Sequence, residues 1–142
     1  MDGFTAASAV VGFIAGLLDI AEVVVQYTRN TLGEKEEKQA LLSEIEATNN
    51  LLKKLKAKAE GSQWLKTIST SMEESDGPFQ RYQSALVTAQ KKLEPSKTGA
   101  GKAVERAVWH FQKGKFAEIL DKITRSKADF ALLLSLYLVV DI

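Results

Sequence analysis

One histidine, His110, and no cysteine set the ceiling on what this 142-residue chain can catalyse. Thiolate nucleophiles, disulfides and cysteine-based zinc sites are excluded, and a lone imidazole cannot build a metal site by itself. The acids gather in two places. Glu34, Glu36 and Glu37 read as the first turn of a helix, where negative charge suits the dipole. Glu73, Glu74 and Asp76 fall in a turn and lack the spacing of a calcium loop. Gly99-Ala100-Gly101-Lys102 has part of the composition of a phosphate loop, but neither its full Gly-x4-Gly-Lys-Ser/Thr spacing nor a preceding strand. No nucleophile, base and orienting group can be assembled. The expectation is a protein that is not an enzyme, with no catalytic residue, no cofactor and no metal.

Two other constellations could do physical work. Gly12 and Gly16 form Gly-x3-Gly inside an uncharged stretch, with Ala9 and Ala15 nearby. Small residues at that spacing let two helix backbones approach closely, either within a soluble bundle or between helices in lipid. Asp19 and Glu22 lie on the same segment. A charge on an apolar helix must face water or find a partner. The pair therefore marks the solvent edge, meets bases on another helix, or lines an oligomeric pore. Bases concentrate later: residues 91–127 hold ten against four acids. They form a solvated face, or a surface attracted to anionic phospholipid, for which Lys91, Lys92, Lys102, Arg106, Lys113 and Lys115 are the candidates.

These residues need elements to hold them. The length suits one domain, residues 1–142, able to bury a core without staples. A net charge of +1 argues against a nucleic-acid-binding domain, and the absence of cysteine fits a reducing, cytoplasmic setting. From Gly3 to Leu18 nothing is charged, and the only earlier ionisable side chain is Asp2. That is the wrong sign for a secretory signal, and the run is slightly short for a membrane span. The segment reads as a buried helix close to the insertion threshold.

The spacing predicts helices over 4–30, 34–60, 63–73, from Pro78 to Leu93, and over 102–140. In the first, Phe13, Leu17, Ile20, Val24 and Tyr27 form one apolar row, and Val10, Ile14, Leu18, Ala21 and Val25 another. In the second, Leu41, Leu42, Ile45, Leu52 and Leu55 face inward. Phe79, Tyr82, Leu86, Ala89 and Leu93 step at heptad rhythm. Phe116, Ile119, Leu120, Ile123, Phe130, Leu133, Leu134 and Tyr137 continue the pattern, and Gly114 is expected to break or bend the last helix. The apolar tail from Leu132 to Val140 suggests that the protein continues, or that the tail packs on the first helix. The fold class is all-α: a single helical bundle of about four to six helices with a hydrophobic N-terminal helix.

Both ends carry a family likeness. Met1-Asp2-Gly3-Phe4 with the run Ala6 to Gly12 resembles the opening of fungal NOD-like receptor (STAND) proteins. Trp109 to Phe116, Ile119 to Ile123 and Leu132 to Leu136 resemble the close of the same HeLo-like N-terminal domain. The resemblance implies a bundle related in shape to the HeLo domain and to the four-helix bundle of mixed-lineage kinase-like pseudokinases. It implies a cytoplasmic module of programmed cell death and heterokaryon incompatibility, belonging to a longer receptor and relocating to the plasma membrane on activation. Its partners would be other copies of itself, anionic lipids and other domains of that receptor, without nucleic acid. The inserting and oligomerising element carried over is Phe4, Val11, Gly12, Phe13, Gly16, Leu17, Asp19, Ile20, Glu22 and Val24. Asp19 and Glu22 depart from an uninterrupted apolar run. The rival expectation is a helical adaptor that binds other proteins and never touches lipid.

Overall fold

A computed structural model describes residues 3–30, 35–58, 77–93 and 113–140, with side chains for 9–30, 35–58, 77–93 and 114–135. Apart from the bend at Gly77, these residues are helical throughout: α1 Gly3–Asn30, α2 Lys35–Lys58, α3 Pro78–Leu93 and α4 Lys113–Val140. The expected helix over 63–73, the stops at Gly33 and Gly61, and residues 102–112 lie outside the described residues.

Each start and stop has a local cause. Glu36 and Glu37 open α2 and Lys56 and Lys58 close it, so charge opposes the dipole at both ends. Gly77 bends the chain into Pro78, whose missing N–H costs nothing in a first turn, and Arg81 N donates to Gly77 O at 2.9 Å. Gly114 does not interrupt the last helix among the described residues, because α4 begins one residue before it.

The helices pack as a ring in which α1 touches α2 and α3, and α4 touches the same two. Thus α1 and α4 occupy opposite corners, as do α2 and α3. The core is one apolar cluster. Its line on α1 runs between the two rows read from sequence: Val10, Ile14, Leu17, Ala21, Val24 and Val25 are buried, while Phe13, Leu18, Ile20 and Tyr27 are half-buried. On α2 the buried positions are Leu41, Ile45, Thr48, Leu52 and Leu55. Leu42 and Leu51 flank them. All five expected positions of α3 are buried, and so are Pro78 and Ala85.

Direction follows from contacts and burial. A four-residue connection between packed helices makes α1 and α2 antiparallel. Phe79 at the start of α3 meets Phe13 of α1 (ring centroids 6.3 Å) and Phe130 of α4 (4.9 Å). The other buried positions of α4, Phe116, Ile119, Ile123 and Ser126, all precede Phe130. The 16 residues of α3 therefore run back along α4, antiparallel to it. One end of the bundle then carries the start of α1, the end of α2 and the end of α4. The other carries the end of α1, the start of α2, the end of α3 and the start of α4.

Candidate functional site

The residues singled out on the first helix divide by exposure. Leu17 and Val24 are buried; Val11, Phe13, Gly16 and Ile20 are half-buried; Gly12, Asp19 and Glu22 are exposed. Phe4 lies on α1 without a described side chain. Over Ala9–Asn30 the helix is long and apolar enough to cross a membrane, yet only 33% of that apolar stretch is buried. A core helix of a soluble bundle has no need of so much apolar surface outside its buried line.

Among the described residues, a Cβ at Gly12 or Gly16 would meet nothing within 4 Å, so no described neighbour packs closely against either. Asp19 and Glu22 stand at the solvent edge, and Glu22 accepts a hydrogen bond from Gln26 Nε2 at 3.0 Å. Neither forms an ion pair with a base on another helix among the described residues.

The remaining helices are cross-linked by polar groups. Tyr82 of α3 donates its hydroxyl to Asn49 Oδ1 of α2 at 2.7 Å. Arg81 of α3 pairs with Asp129 of α4 at 2.8 Å. Lys127 of α4 lies 2.7 Å from Glu44 of α2, as an ion pair rather than an aligned hydrogen bond. Burial raises the Tyr82 phenol well above its ordinary pKa of 10.0, so it stays a donor. These links escaped the sequence reading. The available signal was weak: Arg81 and Asp129 each neighbour a core aromatic, the place where bundles set flanking charges.

From Ala9 to Asn30, α1 has no such link. Its side-chain hydrogen bonds stay inside the helix, Gln26 to Glu22 and Thr28 Oγ1 to the Val24 carbonyl at 2.7 Å. Among the described residues nothing polar on this stretch is bonded to another helix. Apolar packing holds it, at roughly 1.5–3 kcal/mol for each large side chain fully buried. Even the buried hydroxyl of Thr28 would leave with its acceptor.

Beside α1 runs an open cleft of about 270 Å³, between Glu22, Val25 and Arg29 and the α2 residues Leu42, Glu46, Asn49, Asn50 and Lys53. Both signs of charge line it. No group of three or more metal-ligating side chains occurs among the described residues. The basic candidates lie elsewhere: Lys91 and Lys92 are exposed at the end of α3, Lys115 at the start of α4, and Lys113 opens that helix. All belong to the end of the bundle away from the start of α1. Lys102 and Arg106 fall outside the described residues.

Searches against protein-family models, curated proteins and solved structures return no match for this chain.

Proposed function

We propose that the chain is a membrane-acting effector module, a HeLo-like cell-death domain of a fungal NOD-like receptor that oligomerises and permeabilises the plasma membrane through α1. One observation carries the reading. The first helix is apolar well beyond its buried line and is seated by apolar contacts alone from Ala9 onward, whereas polar links hold the other three together.

The physical consequence is an exchangeable element. Lipid tails are as apolar as the leucines of the core. Moving α1 into lipid or against another copy breaks no described interhelical hydrogen bond and strands no buried charge. The open space beside Gly12 and Gly16 leaves that face available for close helix–helix approach in the assembled state. Asp19 and Glu22 limit the depth of insertion, or face water in an oligomer.

Dye release from liposomes containing anionic lipid tests this, comparing wild type with Gly12→Leu and with a variant lacking residues 1–22. Release by wild type that both variants lose is the expected result. A folded protein that neither releases dye nor binds lipid is instead a helical adaptor.

A further inference from the structure

We infer that the folded chain pairs with a second copy of itself through the outer face of α4, antiparallel, about a two-fold axis level with Ile123. The pairing needs no lipid and leaves α1 seated, because α4 occupies the corner opposite α1. The face is a seam at heptad spacing. Gly114, Glu118, Asp121, Arg125, Ala128 and Leu132 step by four and three along α4, and all six are exposed. A stripe at that rhythm runs along one side of a helix and is the geometry by which two helices interlock. The buried line of α4, from Phe116 to Phe130, lies on its other side.

The order of residues in the seam selects the partner. Its steps read the same in either direction, so a copy of α4 turned end for end brings the stripe onto itself. Asp121 then meets the partner's Arg125, and Arg125 the partner's Asp121. Glu118 lies against the partner's Ala128, and Leu132 against the partner's Gly114, about 27 Å away along a single helix. Each contact has a chemical reason. Leu132 is 59% exposed, the large apolar side chain left open to water among the described residues. A Cβ at Gly114 would meet nothing within 4 Å, so a leucine can seat against that backbone. Asp121 and Arg125 lie 3.9 Å apart within one chain, with side chains 65% and 64% exposed, too open to gain much from each other. In the dimer two such couples meet at the axis, with signs alternating around the group.

Other occupants fit less well. A parallel alignment sets Asp121 against Asp121 and Arg125 against Arg125, like on like. A bilayer would strip water from both charges and offer nothing in return. A partner surface of one sign would repel one of the two. The central charges fix register more than they add affinity, so the dimer is expected to be weak and to form at high protein concentration.

Sedimentation equilibrium of the whole chain in lipid-free buffer, from micromolar to near-millimolar protein, tests the pairing. Wild type should pass from monomer to dimer across that range. Asp121→Arg and Arg125→Asp should each weaken self-association by at least ~10-fold, and Leu132→Glu should do the same. An equimolar mixture of Asp121→Arg and Arg125→Asp should associate about as tightly as wild type, because every charge facing across the axis again meets its opposite. The chain has no cysteine, so register can be read by oxidation. Gly114→Cys mixed with Leu132→Cys should form a disulfide-linked dimer at least ~10-fold faster than either variant alone. Helical circular dichroism checks each variant's fold. A monomer throughout the range overturns the pairing, as does a dimer indifferent to the changes at Asp121, Arg125 and Leu132. Faster linkage of Leu132→Cys to itself overturns the antiparallel register. Dye release by a chain that stays monomeric upholds membrane attack and still overturns the pairing.

Discussion

The Tyr82 hydroxyl reaches Asn49 Oδ1 at 2.7 Å and so joins α3 to α2, two helices at opposite corners of the ring. The phenol is buried and its ring packs on Phe130 at 6.0 Å. Tyr82→Phe should keep the packing and lose the link, at a cost of about 1 kcal/mol in urea unfolding. The pH dependence has a definite sign. The folded state holds the phenolic proton more tightly than the unfolded chain, so this stability is complete below pH ~10 and is lost as pH rises above it. The alkaline loss should shrink in Tyr82→Phe, as read by melts across that range.

Gly12 and Gly16 sit within a helix with open space where a Cβ would go. Alanine at either should stabilise the folded monomer, by up to ~1 kcal/mol, because helix propensity improves and nothing clashes. If the glycines serve an assembled state, the same variants should release less dye despite a higher Tm. Thermal unfolding and liposome leakage on one preparation measure both.

The Arg81–Asp129 pair is half-open to water, with side chains 18% and 44% exposed. Screening keeps its worth modest. A double-mutant cycle with alanine should give a coupling of about 0.5–1 kcal/mol, falling in high salt. In the Lys127–Glu44 pair the carboxylate is the less exposed partner, at 24% against 33% for the lysine. Lys127→Met should cost more than Arg81→Ala, because it leaves the buried Oε2 of Glu44 uncompensated.

Ser126 is fully buried, and its hydroxyl has no hydrogen-bond partner among the described residues. Ser126→Ala should therefore be neutral or stabilising by up to ~1 kcal/mol in urea unfolding.

Hydrogen exchange should separate the helices. Amides of α1 between Ala9 and Asn30 are expected to exchange through an opening of lower free energy than those of α2, α3 and α4 about Asn49, Tyr82 and Phe130. Uniform protection across all four helices would show that apolar packing alone holds α1 as firmly as the polar links hold the rest.

The periodicity of the chain carried the helices and most of the core. Heptad spacing placed Phe79, Tyr82, Leu86, Ala89 and Leu93 correctly because burial follows helix geometry. It missed Thr48 and Ser126, which are polar by type yet buried by position. Thr48 manages this by returning its hydroxyl to the Glu44 carbonyl at 2.7 Å, a local bond that no hydropathy pattern reveals. The orientation of Gly12 and Gly16 was equally hidden. An apolar helix with two adjacent rows has several faces that could be the inner one, and only its neighbours choose. Among the basic residues, Lys91, Lys92, Lys113 and Lys115 fall at the end of the bundle away from the start of α1, a placement that depends on how the helices run rather than on their spacing in sequence.

The ring order bears on how the proposed exchange of α1 would depend on concentration. Because α1 packs mainly on α2 and α3 among the described residues, and α4 bridges the same two from the far side, withdrawal of α1 would leave a vacancy with α2, α3 and α4 still in contact. A vacancy bordered by α2 and α3, with Phe79 in its wall, would not distinguish the helix it released from the identical helix of a neighbour. At low concentration the tethered helix wins, since a four-residue connection keeps it close. Were α1 to exchange as proposed, crowding on a surface would raise the neighbour's share, and local density would become the quantity that the fold senses.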